Sequence, residues 1–404
     1  MPEYNSLDTI GYKVWLIRVD FPDPDTPEIQ INFPNGNFIV IAWERLYSSS
    51  WEPLGRGSVN NSLNQMWTTI FIEVEPTLDG RTESYDDNND SEVVWEWRIS
   101  DHLVQNVSSS YSPTYGQIGD HPELMNVNEG SVGSNGGPGG QPNGDWMHIN
   151  ALDYNADLDQ LVFSSRFMSE IFIIDHSTTT EEAATHSGGN SGEGGDFLYR
   201  WGNPSNYDRG NNADEILADQ HSVNWIPDGY PGAGNLILFN NYHSGSNSAA
   251  VLEFETPLQE DGSYELIGSN PYGPDSWSWI YNNNIASQMQ GGAFRLPNGN
   301  TFITDADDAT IIEVTSDGNQ VYEYEYPNNQ AMIARANKYA PEFFDSGYTL
   351  GDINNDGDIN ILDVISLVNI ILGSEDSNPA ADINEDGVIT ILDIILLINI
   401  VLGI

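Results

Sequence analysis

Histidine is scarce in this chain, seven residues in 404, so where it falls carries information. One segment reads Asp145-Trp146-Met147-His148-Ile149-Asn150-Ala151-Leu152-Asp153, and Arg166 follows the apolar run Leu161-Val162-Phe163 shortly afterwards. His148 and Asn150 stand two apart in an extended stretch, which in a regular strand sends both side chains to one face. Arg166 then falls at the end of the next strand. Such a trio suits an oxyanion: guanidinium supplies a forked donor for sulfate or carboxylate, and the carboxamide and imidazole add further donors. A second histidine opens a similar run, Gln220-His221-Ser222-Val223-Asn224-Trp225, at a place matching His148. A neutral imidazole oriented by another group can act there as a nucleophile. The plain alternative is an Arg that pairs with one of the many carboxylates, and a His that is structural.

A different chemistry is written at the C-terminus. Asp352, Asn354, Asp356, Gly357, Asp358, Asn360 and Asp363 recur 30 residues further on as Asp382, Asn384, Asp386, Gly387, Val388, Thr390 and Asp393. Oxygen side chains fall at loop positions 1, 3, 5, 9 and 12, and glycine at 6 allows a sharp turn. Position 7, Asp358 or Val388, offers its backbone carbonyl. This spacing wraps a hard cation, so two Ca2+ ions are expected. Each loop leads into one apolar helix, Ile361 to Leu372 and Ile391 to Leu402.

The elements that position the first constellation read as all-β. Short apolar runs alternate with turn signals: Pro34-Asn35-Gly36-Asn37 precedes Phe38-Ile39-Val40-Ile41, and Pro297-Asn298-Gly299-Asn300 precedes Thr301-Phe302-Ile303-Thr304. Asn-Gly and Asp-Gly accept the backbone angles of tight hairpins, so each unit predicts an antiparallel meander. Comparable units are expected to begin near Ile70, His148 and His221. Repeated four-stranded meanders close most naturally into a β-propeller, here of about six blades with an incomplete first one. A sandwich is the competing architecture. The Gly-rich stretch 130–144 and the polar stretch 177–195 predict loops. The expected domains are residues 1–345 for the propeller and 346–404 for the calcium module.

Composition bounds the partners. Twelve Lys and Arg stand against 61 Asp and Glu, a net charge of -49, which argues against nucleic acid and anionic lipid. Cysteine is absent, so disulfides and thiolate chemistry are excluded. No apolar run is long enough for a membrane span. Met1-Pro2-Glu3 lacks the basic start and apolar run of a signal peptide, so an exported protein is expected to have its leader outside this sequence.

Four segments carry a wider resemblance: Asp145 to Asn155 with Gln160 to Arg166, Tyr199-Arg200-Trp201-Gly202-Asn203-Pro204, Gln220 to Gly229, and Gly291 to Asn300. Together they resemble the bacterial arylsulfotransferases, which are propellers. The resemblance implies ping-pong transfer without a nucleotide cofactor. His221 would take a sulfuryl group from an aryl sulfate donor as sulfohistidine and pass it to a phenolic acceptor, while His148, Asn150 and Arg166 bind the sulfuryl oxygens. Arg295 is a further candidate for that cluster, and Trp146, Trp225, Trp277 and Trp279 for an aryl pocket. The family's early-blade histidine has no counterpart in Glu28 to Phe33, and His102 is the substitute to test. The C-terminal repeats resemble type I dockerins, which implies calcium-dependent folding, a cohesin-like partner and an extracellular or periplasmic location. Ile361-Leu362 and Ile391-Leu392 replace that family's usual polar recognition pair. The alternative function is a non-catalytic extracellular binding protein for sulfated or acidic glycans, positioned by the module.

Overall fold

A computed structural model describes residues 29–32, 37–75, 92–137, 140–243, 248–326, 332–338, 350–354, 359–372, 378–384 and 389–402. The chain divides into two compact units, Met1–Ala336 and Asn337–Ile404.

The first unit is mostly β. Strands β1 (Ile29–Asn32), β2 (Phe38–Tyr47), β3 (Gln65–Glu75) and β4 (Glu92–Arg98) form one antiparallel meander, with the single-turn helix α1 (Ser48–Trp51) between β2 and β3. Short strands β5 (Leu103–Gln105), β6 (Thr114–Tyr115) and β7 (Met125–Asn126) make a parallel sheet in the order β6-β5-β7. Three more four-stranded antiparallel meanders follow. They are β8 (Ile149–Asn155) to β9 (Gln160–Ser165), β10 (Glu170–Asp175) and β11 (Phe197–Trp201), with the single-turn helix α2 (Thr180–Ala183) before β11, then β12 (His221–Trp225) to β13 (Leu236–Asn240), β14 (Ala250–Phe254) and β15 (Trp279–Tyr281), and last β16 (Gly292–Arg295) to β17 (Thr301–Asp305), β18 (Thr310–Val314) and β19 (Gln320–Glu325). The unit expected to start near Ile70 does not: Ile70 lies inside β3, because the first meander uses two long strands joined through α1.

The turn residues act as their chemistry predicts. Gly299 and Gly318 adopt φ of 84° and 78° in the hairpins β16–β17 and β18–β19, values that cost a side-chain-bearing residue strain. The Pro34-Asn35-Gly36 part of the matching turn lies outside the described residues.

Burial of both faces explains why the strands read as continuous apolar runs rather than alternating ones. In β10, Phe172 and Ile174 pack with Phe71, Trp97 and Phe163 toward the first meander, whereas Ile171 and Ile173 pack with Val223, Leu238 and Leu252 of the third. Ile237, Phe239 and Val251 in turn meet Ala293, Ile303 and Ile312 of the fourth. The meanders therefore stack face to face in chain order. Their leading strands lie side by side: β1 on β8, β8 on β12, and β12 on β16. A fully buried ion pair interrupts the apolar interior between β10 and β11. Arg200 Nε and Nη2 donate to Glu170 at 2.9 and 2.6 Å, and both side chains are fully buried.

The second unit contains helices α3 (Ile361–Ile371) and α4 (Ile391–Leu402), which pack together over Leu367 and Leu397. No helix among the described residues is long and apolar enough to cross a membrane.

Candidate functional site

The leading edges of β8 and β12 hold the predicted constellation. His221 opens β12 and is 8% exposed. Its Nδ1 lies 2.9 Å from the Asp219 carbonyl oxygen and 2.8 Å from Asn241 Oδ1. The Asn241 amide donates through Nδ2 to the carbonyls of Ser287 and Gln290, at 3.0 and 2.7 Å, which fixes Oδ1 as the atom facing the imidazole. Both neighbours of Nδ1 are thus acceptors, so Nδ1 carries the hydrogen and Nε2 presents its lone pair. The Gln290 backbone N–H donates to that Nε2 over a long 3.3 Å. Burial pushes the imidazole pKa down to about 3; the Asn241 hydrogen bond opposes the shift, and the charges of Arg166 and His148 add to it. His221 is therefore neutral across the physiological range.

His148 precedes β8 with φ 52°, a conformation rare outside glycine. Its Nδ1–H donates to Asp145 Oδ2 at 2.5 Å, and its backbone N–H donates to Asp145 Oδ1 at 3.1 Å. The ring stacks on Phe167, centroids 4.8 Å apart. Regular alternation was the expected reason for His148 and Asn150 to share a face. Instead, the β8–β9 register shifts between Ile149 and Ala151, so Asp145 and the irregular backbone aim these side chains. The same device recurs at the other leading strands. Ser222 has φ 60° beside a register shift between His221 and Asn224, and Gln290 has φ 59° ahead of β16.

Arg166 follows β9, and its backbone N–H donates to the His148 carbonyl at 3.1 Å. Its Nε and Nη2 both donate to Asp219 Oδ2, at 3.1 and 2.8 Å. The anticipated carboxylate competitor is therefore present. Asp219 grips Arg166 by its side chain and His221 by its carbonyl, so the same residue that engages the guanidinium also ties it to the imidazole. Asn150 Nδ2 donates to the Gln220 carbonyl at 2.8 Å, and Asn150 Oδ1 is buried without a hydrogen-bond partner. Gln220 Nε2 lies 2.9 Å from Ser164 Oγ, 3.0 Å from the Ser165 carbonyl and 2.9 Å from the Glu170 carbonyl, which clamps the start of β12 to the preceding meander.

Other candidates fall elsewhere. Arg295 forms a buried ion pair with Glu253, so it is not an oxyanion ligand here. Trp146 is fully buried with Nε1–H donating to the Glu129 carbonyl, and Trp279 Nε1–H donates to Ser316, so both are structural. His102 is fully buried against Trp97 and bonds to Asp196 and Ala183, not to His148 or His221. Asp145, Asp219, Asn241 and Gln290 were missed from sequence. Asp145 and Asp219, close before a strand-opening His, carry a local signal; Asn241 and Gln290 arrive from distant segments and carry none.

In the second unit, Asp363 and Asp393 are fully buried. Asp363 accepts from the backbone N–H groups of Ile353 and Asn354 through Oδ1 and of Asn360 through Oδ2, at 2.8, 3.1 and 2.8 Å. Asp393 repeats this with Ile383, Asn384 and Thr390. Burial pushes the Asp393 carboxyl up, and these hydrogen bonds outweigh it and hold it below the ordinary carboxylate value. Position 9 is the helix N-cap and position 12 its third residue, so Asn360 and Asp363 also form a capping box. Two buried carboxylates met by neutral donors fit a hard cation on the remaining lone pairs. Asp352 is buried too, and Asn354, Asp382 and Asn384 flank the same loops. Asp356, Asp358, Asp386 and Val388 lie outside the described residues.

Fold and site together define a protein of packed antiparallel meanders with an imidazole–guanidinium cluster on its leading strands, joined to a duplicated loop–helix unit. Residues 85–259 match the family described as arylsulfotransferase (ASST), and residues 350–402 match the dockerin type I domain. The two matches fall in separate parts of the chain, the first within the β unit and the second within the C-terminal unit. No curated protein matches it. Among solved structures, a protein of unknown function from Bacteroides caccae is 11% identical with a TM-score of 0.26, covering 46% of this chain and 49% of that one. Virginiamycin B lyase from Staphylococcus aureus is 9% identical with a TM-score of 0.27, covering 72% and 62%. The chain therefore spans about half to three-fifths of these two structures, and likenesses so remote carry no functional argument.

Proposed function

We propose that this chain is an aryl-sulfate sulfotransferase working through a sulfohistidine on His221. The observation that carries the reading is the His221 imidazole itself: buried, neutral, with Nδ1–H held by Asp219 and Asn241, an Nε2 lone pair met only by the long contact from the Gln290 N–H, and a ring close enough to Arg166 and His148 to feel their charges. In the first half-reaction Nε2 attacks sulfur, the sulfur–aryloxy bond breaks, and the aryl oxygen leaves with a proton. In the second, a phenol oxygen attacks sulfur, the nitrogen–sulfur bond breaks, and the phenolic proton is removed. His148, oriented by Asp145 as a carboxylate orients a catalytic imidazole, is the group that supplies and then accepts that proton. Arg166 and the second amide hydrogen of Asn150 bind the sulfuryl oxygens, whose charge spreads in a loose transition state.

The side-by-side leading strands and face-to-face meanders support a propeller, for which the proposed number of blades is about six, and the division after Ala336 lies near the proposed boundary between residues 1–345 and 346–404. The C-terminal loops support two calcium ions that fold the module. Exposed Ile361, Leu362 and Ile365 on α3, repeated as Ile391, Leu392 and Ile395 on α4, support a cohesin-like partner that is more apolar than usual. The same module supports an extracellular or periplasmic location.

Mass spectrometry after brief incubation with 4-nitrophenyl sulfate tests the transfer. A sulfuryl adduct on the peptide bearing His221, discharged by added phenol and missing from His221→Ala, is the expected result. A folded, calcium-loaded wild type that neither acquires the adduct nor releases nitrophenol would overturn the enzyme reading in favour of binding of sulfated or acidic glycans.

A further inference from the structure

A second polar cluster lies apart from His221. His102 follows β4 after the short turn Ile99–Asp101, and His186 and Asp196 stand at either end of the looped segment between α2 (Thr180–Ala183) and β11. His102 Nδ1 is 2.7 Å from Asp196 Oδ1; His186 Nδ1 is 2.8 Å from the same oxygen and 3.0 Å from Oδ2. One ligand-capable atom from each residue lies within 4.8 Å of the others.

We propose that His102, His186 and Asp196 bind one transition-metal ion of the zinc class. The tautomer of His102 is the first argument. Its Nε2 lies 2.8 Å from the Ala183 carbonyl oxygen, which only accepts, so Nε2 carries a hydrogen. In a neutral ring Nδ1 then points its lone pair at a carboxylate. That arrangement calls for a positive charge between the two, a metal ion in place of the second proton of an imidazolium, and a second imidazole nitrogen converges on the same point. A ring nitrogen donating to a backbone carbonyl is also the usual support of a metal-bound histidine.

Rigidity is the second argument. His102 is fully buried and stacks parallel on Trp97, centroids 5.4 Å apart, while Trp97 Nε1–H donates to the Gly195 carbonyl at 2.7 Å. A Cβ on Gly195 would stand 2.1 Å from the Ala183 carbonyl oxygen and 2.6 Å from His102 Nε2, so only glycine lets the loop close over the ring. Access is the third. The His186 side chain is 52% exposed and lines a cleft of about 400 Å³ with Glu44, Ser100 and Asp101. Asp101 lines the same cleft as His186, so a further oxygen donor or a water can complete the coordination from the solvent side.

Two imidazoles and one carboxylate suit zinc, whose ligand distances of about 2.0–2.2 Å require the three atoms to spread by about 0.5 Å. The oxygen-only loops of the C-terminal unit select calcium instead, so the two metals can be separated. An ion here would pin the loop after α2 to the end of β4, a cross-link in a chain with no cysteine.

The test uses untagged full-length chain, stripped with chelator and then saturated with Ca2+, titrated with Co2+ and back-titrated with Zn2+. One equivalent of Co2+, with a visible absorption band displaced by Zn2+, is expected. His186→Ala, at a half-exposed position, should keep the circular dichroism of the wild type and lower affinity about 100-fold. His186→Gln serves if the alanine variant misfolds. Wild type that binds no more Co2+ or Zn2+ than these variants would overturn the proposal and leave the trio as a proton-sharing cluster.

Discussion

At the scale of single residues, chemistry hangs on how few donors each group has left. Arg166 has Nε and Nη2 committed to Asp219 Oδ2, which leaves the Nη1 edge for a sulfuryl oxygen. Arg166→Ala should therefore lower kcat for nitrophenol release by about 10²–10³-fold, the usual cost of removing one oxyanion donor, with the fold intact by circular dichroism. Asn241→Leu should remove one of the two acceptors that hold the His221 Nδ1–H and leave only the Asp219 carbonyl, and the expected readout is slower adduct formation at unchanged donor binding. The His221 pKa of about 3 makes a further claim. Its neutral form persists well below the ordinary value of 6.5, so the single-turnover rate of adduct formation should not fall with a midpoint near 6.5 on acidification. The sign for stability follows from linkage. Between pH 6.5 and about 3 the unfolded chain binds a proton at His221 that the folded chain does not, so this residue's contribution is full above 6.5 and is lost as pH falls toward 3. Asp153 and Asp305, raised to about 6 by burial, act in the opposite direction. Denaturant titration of wild type against His221→Gln isolates the His221 contribution.

At the scale of elements, the meanders are held by inner strands buried on both faces, β9, β10, β13, β14 and β17 among them, and the buried polar groups there are informative. Arg200 and Glu170 pair where β10 meets β11, and Asn206 donates to the same carboxylate at 2.7 Å. Removing one partner leaves a buried charge uncompensated. Glu170→Ala should cost about 3–5 kcal/mol in denaturant unfolding, far more than loss of an exposed pair. The leading strands are informative in another way. Non-glycine residues in left-handed conformations begin them, at His148, Ser222 and Gln290, and residues held this way concentrate at functional sites. A regular pleat would have placed alternate side chains on opposite faces; the register shifts turn His148, Asn150 and His221 toward one edge.

At the scale of the whole chain, two compact units answer to different stabilising forces. The first buries aromatic and aliphatic residues between stacked meanders. The second depends on two small helices capped by carboxylates, and its apolar contacts are few: Val364, Leu367, Leu397 and neighbouring Ala and Ile residues. Chelation of calcium should therefore abolish the thermal transition and helical signal of the second unit and leave that of the β unit in place, as read by calorimetry and circular dichroism of the full chain. A single transition that moves as a whole on chelation would contradict this.

The sequence by itself determined much of this. Turn chemistry at Pro297-Asn298-Gly299 and apolar runs such as Ile171 to Ile174 specify antiparallel strands, because backbone angles and burial are local or periodic demands. The duplicated loop–helix pattern was equally legible, since the candidate ligands of each loop lie within twelve consecutive positions. Only the tertiary structure decided which groups meet. Asn241 orients His221 across a strand, Asp219 bridges it to Arg166, and Glu253 withdraws Arg295 from the cluster. It also decided that His102 joins His186 and Asp196 rather than the site at His221. Such partnerships join segments tens of residues apart, and no periodicity records them, because they are fixed by how the meanders stack and not by any one strand.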